Sequence, residues 1–109
     1  MFYRSSRPFA IYDDERMIGF ALLRELENLQ CHFLSQFMID ERFQGRGYGR
    51  QAMLVLIGML KQEGKYEKID LYYIEGDEGA KRLYEGLGFV PTGEVEAGGV
   101  GMELKIGRP

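Results

Sequence analysis

The sequence predicts a single domain of α/β (α+β) class on a mixed β-sheet, in the order β-β-β-α-β-α-β-β. Three observations carry this. Apolar residues recur at helical spacing in two segments, 47–64 and 77–88, while the other apolar runs are short and of strand type. A strand, a helix and a strand follow one another between residues 33 and 74, the pattern of a βαβ unit with parallel strands. Strand runs joined by turn residues flank that unit on both sides and read as hairpins.

Residues 9–12 are the first strand, Asp13-Asp14-Glu15 supplies the turn, and residues 17–23 return as the second strand. Residues 33–39 are the third. Strict alternation there puts Phe33, Ser35, Phe37 and Ile39 on one face and Leu34, Gln36 and Met38 on the other. In the first helix Met53, Leu56, Ile57 and Leu60 form the inner face, widened by Ala52, Val55 and Met59. Lys61 and Lys65 suit its negative C-terminal end, and Gly64 its stop. Gly58 costs a helix about 1 kcal/mol relative to Ala, so it is expected to mark close packing on the sheet. Residues 69–74 are a strand. Asp77 caps a second helix whose inner face is Ala80, Leu83, Tyr84 and Leu87, with Gly88 at its end and Phe89 as the apolar contact beyond. Two last strands, around 89–95 and 100–106, turn at Gly98-Gly99.

Composition bounds the function. A length of 109 residues reads as one domain, residues 1–109, and 45% hydrophobic with 28% charged residues is the balance of a soluble globular chain. Eight apolar residues between 52 and 60, broken by Gly58, fall well short of the roughly 20 a membrane span needs, and residues 1–8 lack the apolar core of a signal peptide. One cysteine, Cys31, and one histidine, His32, exclude a disulfide framework and the usual zinc ligand sets, so the reading is cytoplasmic and metal-free. The net charge is −3 and the basic residues are dispersed, against nucleic acid and against a membrane surface as partners. His32 and Cys31 read as structural, and the scattered acids Glu25, Glu27, Asp40, Glu41, Glu75, Asp77 and Glu78 as surface groups that could also favour a cationic ligand.

The chemistry concentrates in Gln44-Gly45-Arg46-Gly47-Tyr48-Gly49, between a strand and the start of a helix. Glycines let the backbone turn tightly and approach a ligand. The first helical N–H groups lack intrahelical partners and the helix dipole favours an anion there. Arg42, Arg46 and Arg50 add charge, so the segment reads as a phosphate cradle. It is neither a P-loop, since no Lys-Ser or Lys-Thr follows, nor a dinucleotide fingerprint, whose third glycine would fall at Arg50.

The spacing Gln44-x-x-Gly47-x-Gly49 resembles the [Q/R]-x-x-G-x-[G/A] motif of the GNAT superfamily of N-acetyltransferases. Residues 80–89, Ala-Lys-Arg-Leu-Tyr-Glu-Gly-Leu-Gly-Phe, are similar to that family's A-x-x-x-Y-x-x-x-G-F helix, at the family's separation. Within the family the wording is loosely similar to bacterial polyamine-type acetyltransferases. The resemblance implies a GNAT-like sheet, acetyl-CoA as acyl donor, and an amine of a small molecule, polyamine-like or amino-acid-like, as acceptor by direct attack on the thioester. It implies that the backbone of Phe37, Met38 and Ile39 pairs with the pantetheine arm and supplies an oxyanion donor. It implies that Gln44, Gly45, Arg46, Gly47, Tyr48 and Gly49, with Arg50, hold the pyrophosphate, and that Tyr84 protonates the leaving thiolate. The alternative is a non-catalytic acyl-CoA-binding module or an oligomer-dependent half-domain.

Three departures stand out. The chain begins near the family's second strand, without the segment that lines the acceptor site. Asp77 stands where many members place an asparagine on the cofactor arm. Phe33 and Ser35 occupy positions where some members have a general base, leaving Glu25, Glu75 or a water chain. Phe9, Ile11, Met17, Ile18, Phe20 and Leu22 read as one apolar face for which residues 1–3 offer little cover, so a homodimer is expected.

Overall fold

The computed structural model describes residues 6–107. Eight principal elements follow in the expected order: β1 (Ser6–Asp13), β2 (Arg16–Leu26), β3 (Cys31–Ile39), α1 (Tyr48–Glu63), β4 (Lys68–Ile74), α2 (Glu78–Gly86), β5 (Val90–Glu96) and β6 (Gly99–Lys105). The six strands form one sheet in the order β1-β2-β3-β4-β6-β5. Every neighbouring pair is antiparallel except β3 and β4, which are parallel across the α1 crossover. Single-turn 3-10 helices at Glu27–Leu29 and Glu41–Phe43 precede β3 and the glycine segment.

Both helices pack on one face of the sheet. Phe9, Ala21, Leu23, Leu34, Ile69, Leu71 and Met102 meet Met53, Leu56, Ile57, Leu60 and Tyr84 there, so the period-2 and period-3.6 stripes close on each other as one core. The four residues assigned to the inner face of the first helix are its buried ones, and Gly64 ends it with φ 64°. Asp77 caps α2 by accepting from the Ala80 N–H at 3.0 Å. At the other end of α2, Phe89 N–H donates to the Tyr84 carbonyl at 3.0 Å, and the Phe89 and Tyr84 rings lie edge to face, 5.6 Å apart.

Four expectations are corrected. Strict alternation fails in β3: Leu22 pairs with Gln36 but Leu23 pairs with Leu34, so Ser35 is an extra, bulged residue. Leu34 and Phe37 therefore share the helix side, and Phe33 lies on the opposite face. The apolar residues of the first hairpin do not form one face either. Phe9 and Ile11 pack against the helix-side core and Ile18 is buried, whereas Phe20 and Leu22 are half-buried and sit opposite. Gly58 is exposed with nothing within 4 Å of a built Cβ, so no close packing requires it. His32 is neither exposed nor satisfied: it is buried beside Tyr66, and neither ring nitrogen has a hydrogen-bond partner among the described residues. Burial lowers its pKa, and its register position beside Ile69 puts it at the paired end of the parallel strands. Cys31 is buried too, its thiol donating to Asp70 at 3.7 Å and pushed up to about 11 by burial. Residues 1–3, read above as scant cover, lie outside the described residues.

The glycines that matter to packing are thus not the ones periodicity singles out. A Cβ on Gly19 would meet the Met38 carbonyl oxygen at 2.5 Å. Gly19→Ala is expected to lower stability by about 1–3 kcal/mol through overpacking against backbone, while Gly58→Ala raises it by about 0.5–1 kcal/mol. Urea midpoints at unchanged slope will read both.

Candidate acyl-donor cleft

The site follows from how little of β3 and β4 is paired. Only His32–Ile69, Phe33–Asp70 and Leu34–Leu71 are in register. Beyond Leu34, at the Ser35 bulge, the strands part, each heading for a different neighbour: residues 36–39 stay on β2, and residues 72–74 stay on β6. Between the parted strands lies a cleft of about 440 Å³, lined by Leu34, Ser35, Gln36, Phe37, Met38, Tyr72, Tyr73, Ile74, Asp77, Ala80 and Tyr84. It opens at the carboxyl ends of two parallel strands, the general place for ligands in open α/β sheets.

Of the expected site residues, Phe37, Met38, Asp77 and Tyr84 line this cleft. Ile39 does not; it is buried with Ile18 and Phe43, and its carbonyl accepts from Gln44 Nε2 at 2.8 Å. That bond ties the end of β3 to the glycine segment. Gly45 and Gly47 hold φ of 78° and 83°, values that favour glycine. Gly47 is the N-cap of α1, and the first i→i−4 bond runs from Gln51 N–H to the Gly47 carbonyl, leaving the Tyr48, Gly49 and Arg50 amides ahead of it. A Cβ on Gly49 would lie 3.6–3.8 Å from Leu83, Ile39 and Phe37, which places this helix start against both the cleft wall and α2.

The arginines are less free than their spacing implies. Arg42 binds Asp40 through Nε and Nη2, both at 3.1 Å. Arg50 donates to the Gly86 carbonyl at 3.2 Å and so joins the start of α1 to the end of α2. Arg46 lies over the Phe43 ring, 5.9 Å from its centroid. Tyr48 turns the other way and donates to Asp13 at 2.8 Å, fastening α1 to the first hairpin.

Tyr84 is 7% exposed. Burial pushes its phenol up to about 12, with the Asp77 carboxylate adding in the same direction, so the side chain keeps its proton at neutral pH. Of the two named carboxylates, Glu25 pairs with Lys65 at 3.3 Å and sits opposite His32, at the paired end of the strands. Glu75 lies in the turn before α2, its N–H donating to the Gly98 carbonyl. Neither lines the cleft. Sequence reading passed over Tyr72, Tyr73 and Ile74, although their place at the end of the second parallel strand was a usable signal.

A mixed sheet opened between two parallel strands, with a glycine-turned helix start at the opening, is the arrangement the sequence resemblance implies for an acetyltransferase domain. The chain belongs to the acetyltransferase (GNAT) family, whose sequence profile matches residues 1–89, and by that membership is an acetyl-CoA-dependent N-acetyltransferase. It is 32% identical over 105 residues to the spermine/spermidine N(1)-acetyltransferase of Bacillus subtilis strain 168, covering 91% of this chain and 69% of that one. Among solved structures it is similar to the PaiA N-acetyltransferase of Thermoplasma acidophilum in complex with coenzyme A (TM-score 0.81, 19% identity, 93% of this chain and 61% of that one). It is also similar to a dodecameric spermidine N-acetyltransferase from Vibrio cholerae (TM-score 0.82, 22% identity, 94% of this chain and 66% of that one). At those identities the solved structures establish the fold. Among the described residues no helix is long and apolar enough to cross a membrane.

The Asp77 side chain both caps α2 and faces the cleft. Asp77→Ala is expected to cost about 1 kcal/mol of stability, whereas Asp77→Asn keeps the cap and most of that energy. Thermal unfolding of the pair will separate the two.

Proposed function

We propose that this domain moves an acetyl group from acetyl-CoA to a primary amine of a small, polyamine-like molecule. The observation that carries the reading is the shared cleft: a buried, protonated Tyr84 lines the same opening as the free edge of β3, with the glycine turn at its foot. Supporting the acceptor class, the Bacillus relative is a spermine/spermidine acetyltransferase by name. The residues fit the donor: the cleft holds an extended arm, and the amides of residues 48–50 with the turn from Gln44 to Gly47 suit a pyrophosphate. Acetyl-CoA supplies the activated acyl group when bound.

The chain's own contribution is positioning and proton placement. The β3 edge from Ser35 onward is unpaired on the β4 side, so its amides can hold an acyl carbonyl in place. Tyr84 offers its hydroxyl proton to the departing sulfur and is reprotonated, through water, by the proton the attacking amine releases; burial, which raises the phenol to about 12, keeps it protonated at neutral pH until then. Among the described residues lining the cleft the one carboxylate is Asp77, and it is committed to the α2 cap. We further infer that two copies associate, because among the described residues β1 ends the sheet with no further strand on it and Phe20, Leu22 and Phe33 leave the face opposite the helices apolar and half-open.

Two measurements test this. Tyr84→Phe keeps the ring and its contact with Phe89, so CoA affinity by calorimetry should hold while the acetyl-transfer rate falls about ten- to a thousand-fold. In the wild type the raised phenol keeps its proton up to high pH, so a fall in rate from Tyr84 ionisation is expected only as pH rises toward 12. Unchanged turnover in Tyr84→Phe would return Tyr84 to a packing role. Light scattering at micromolar concentration should give twice the chain mass, and a monomer free of exposed-surface dye binding would exclude the pair.

A further inference from the structure

The last hairpin contains an irregularity the proposed reaction does not use. Pro91 pairs with Met102 and Val95 with Val100, so Thr92, Gly93 and Glu94 on β5 stand against the single residue Gly101 on β6. Gly93 takes φ 90° to make this bulge, and the Glu94 N–H donates to Thr92 Oγ1 at 3.3 Å. The bulge is built against Tyr72. A Cβ on Gly101 would stand 2.6 Å from Thr92 Oγ1 and 3.2 Å from the Tyr72 ring, so only glycine lets the two come together. The Tyr72 hydroxyl donates to Glu94 Oε2 at 2.7 Å, and the Phe33 ring meets the Tyr72 ring edge to face at 6.0 Å. Bulges of this kind re-aim a side chain, and they occur next to active sites.

Tyr72 also lines the cleft between β3 and β4. So does Tyr84, more than nine-tenths buried, which α2 carries inward to the same opening. The charges that bear on Tyr72 are carboxylates, Glu94 first and then Glu96 and Asp70, and they push its phenol up to about 12. Asp70 is itself engaged by Lys68 at 3.7 Å, whereas Glu94 accepts from the neutral Tyr72 hydroxyl. An aromatic wall whose Tyr72 hydroxyl is held by a carboxylate suits an ammonium group.

We propose that Glu94, aimed by the β5 bulge and held by Tyr72, is the anchor for a second ammonium of the acceptor, selecting di- and polyamines over monoamines. This rests on the acetyl-transfer reading for the place of the acceptor, but its test does not need turnover. Spermidine binding is measured by calorimetry on the full chain in the presence of CoA. Glu94→Gln is expected to weaken spermidine at least tenfold and to leave CoA affinity within twofold, because β5 is exposed throughout and the amide can still accept from Tyr72. Tyr72→Phe, which frees Glu94 but keeps the ring, should weaken it by a smaller factor, and Glu85→Gln on the exposed side of α2 should not change it. Equal spermidine affinity in Glu94→Gln and wild type, or no spermidine binding by the wild type, overturns the assignment. Failure of the acetyl-transfer reading shows differently, as spermidine binding that depends on Glu94 without any acetyl transfer to it.

Discussion

Everything in this domain depends on how briefly β3 and β4 stay paired. Parallel strands are held by evenly spaced, slanted hydrogen bonds, and here the ladder lasts three residues. It holds where His32, Leu34, Ile69 and Leu71 pack beneath the helices, and it ends where Ser35 bulges. Past that point each strand keeps its other neighbour, so the sheet does not fray. It opens as a wedge with both walls braced. The unpaired backbone along the wedge is a cost in an empty sheet and a recognition surface when a chain-like ligand lies in it.

The wedge is also braced from the helix side. α1 must start close to β3, because Gln44 binds the Ile39 carbonyl, and close to α2, because Arg50 binds the Gly86 carbonyl. Tyr48 adds a third tie, to the first hairpin through Asp13. Three residues of one segment thus fasten the helix start to three different elements. All three, Gln44, Tyr48 and Arg50, read from sequence as ligand contacts, and in the structure each carries a structural bond. Charges near the turn are similarly committed, Arg42 to Asp40 and Arg16 to Asp13, so the anion preference of this end rests on backbone amides and the helix dipole more than on free arginines.

Buried polar groups are divided between the two ends of the sheet. At the paired end His32 is enclosed beside Tyr66 with no hydrogen-bond partner among the described residues, and Cys31 and Asp70 share a contact under Lys68. Those groups are shifted by burial and lie away from the cleft. At the open end Tyr84 is buried for a different reason: α2 carries it inward as part of its apolar stripe, and the parted strands leave space in front of it. A tyrosine on an amphipathic helix thus becomes part of a site because of what its neighbours fail to fill.

Much of this was legible in the residues. The element order follows from two hydrophobic periods and their turn residues, and the caps at Asp77, Gly64 and Gly88 are local chemistry that a chain carries with it. The glycine turn and the Ala80–Phe89 helix were readable as motifs for the same reason: their spacing is set within one element. What the sequence could not show is whatever depends on two distant segments meeting. The Ser35 bulge needs β2 as its measure, and no strand pattern reveals an extra residue without its partner. Gly58 was misjudged and Gly19 overlooked because the room around a glycine belongs to its neighbours in space. The same holds for the cleft and for Glu94. Local periodicity determined which elements form and which face of α1 is buried; tertiary packing alone decided the strand faces at the bulges and where two parallel strands separate, since that is fixed by the competition of each strand for its other neighbour.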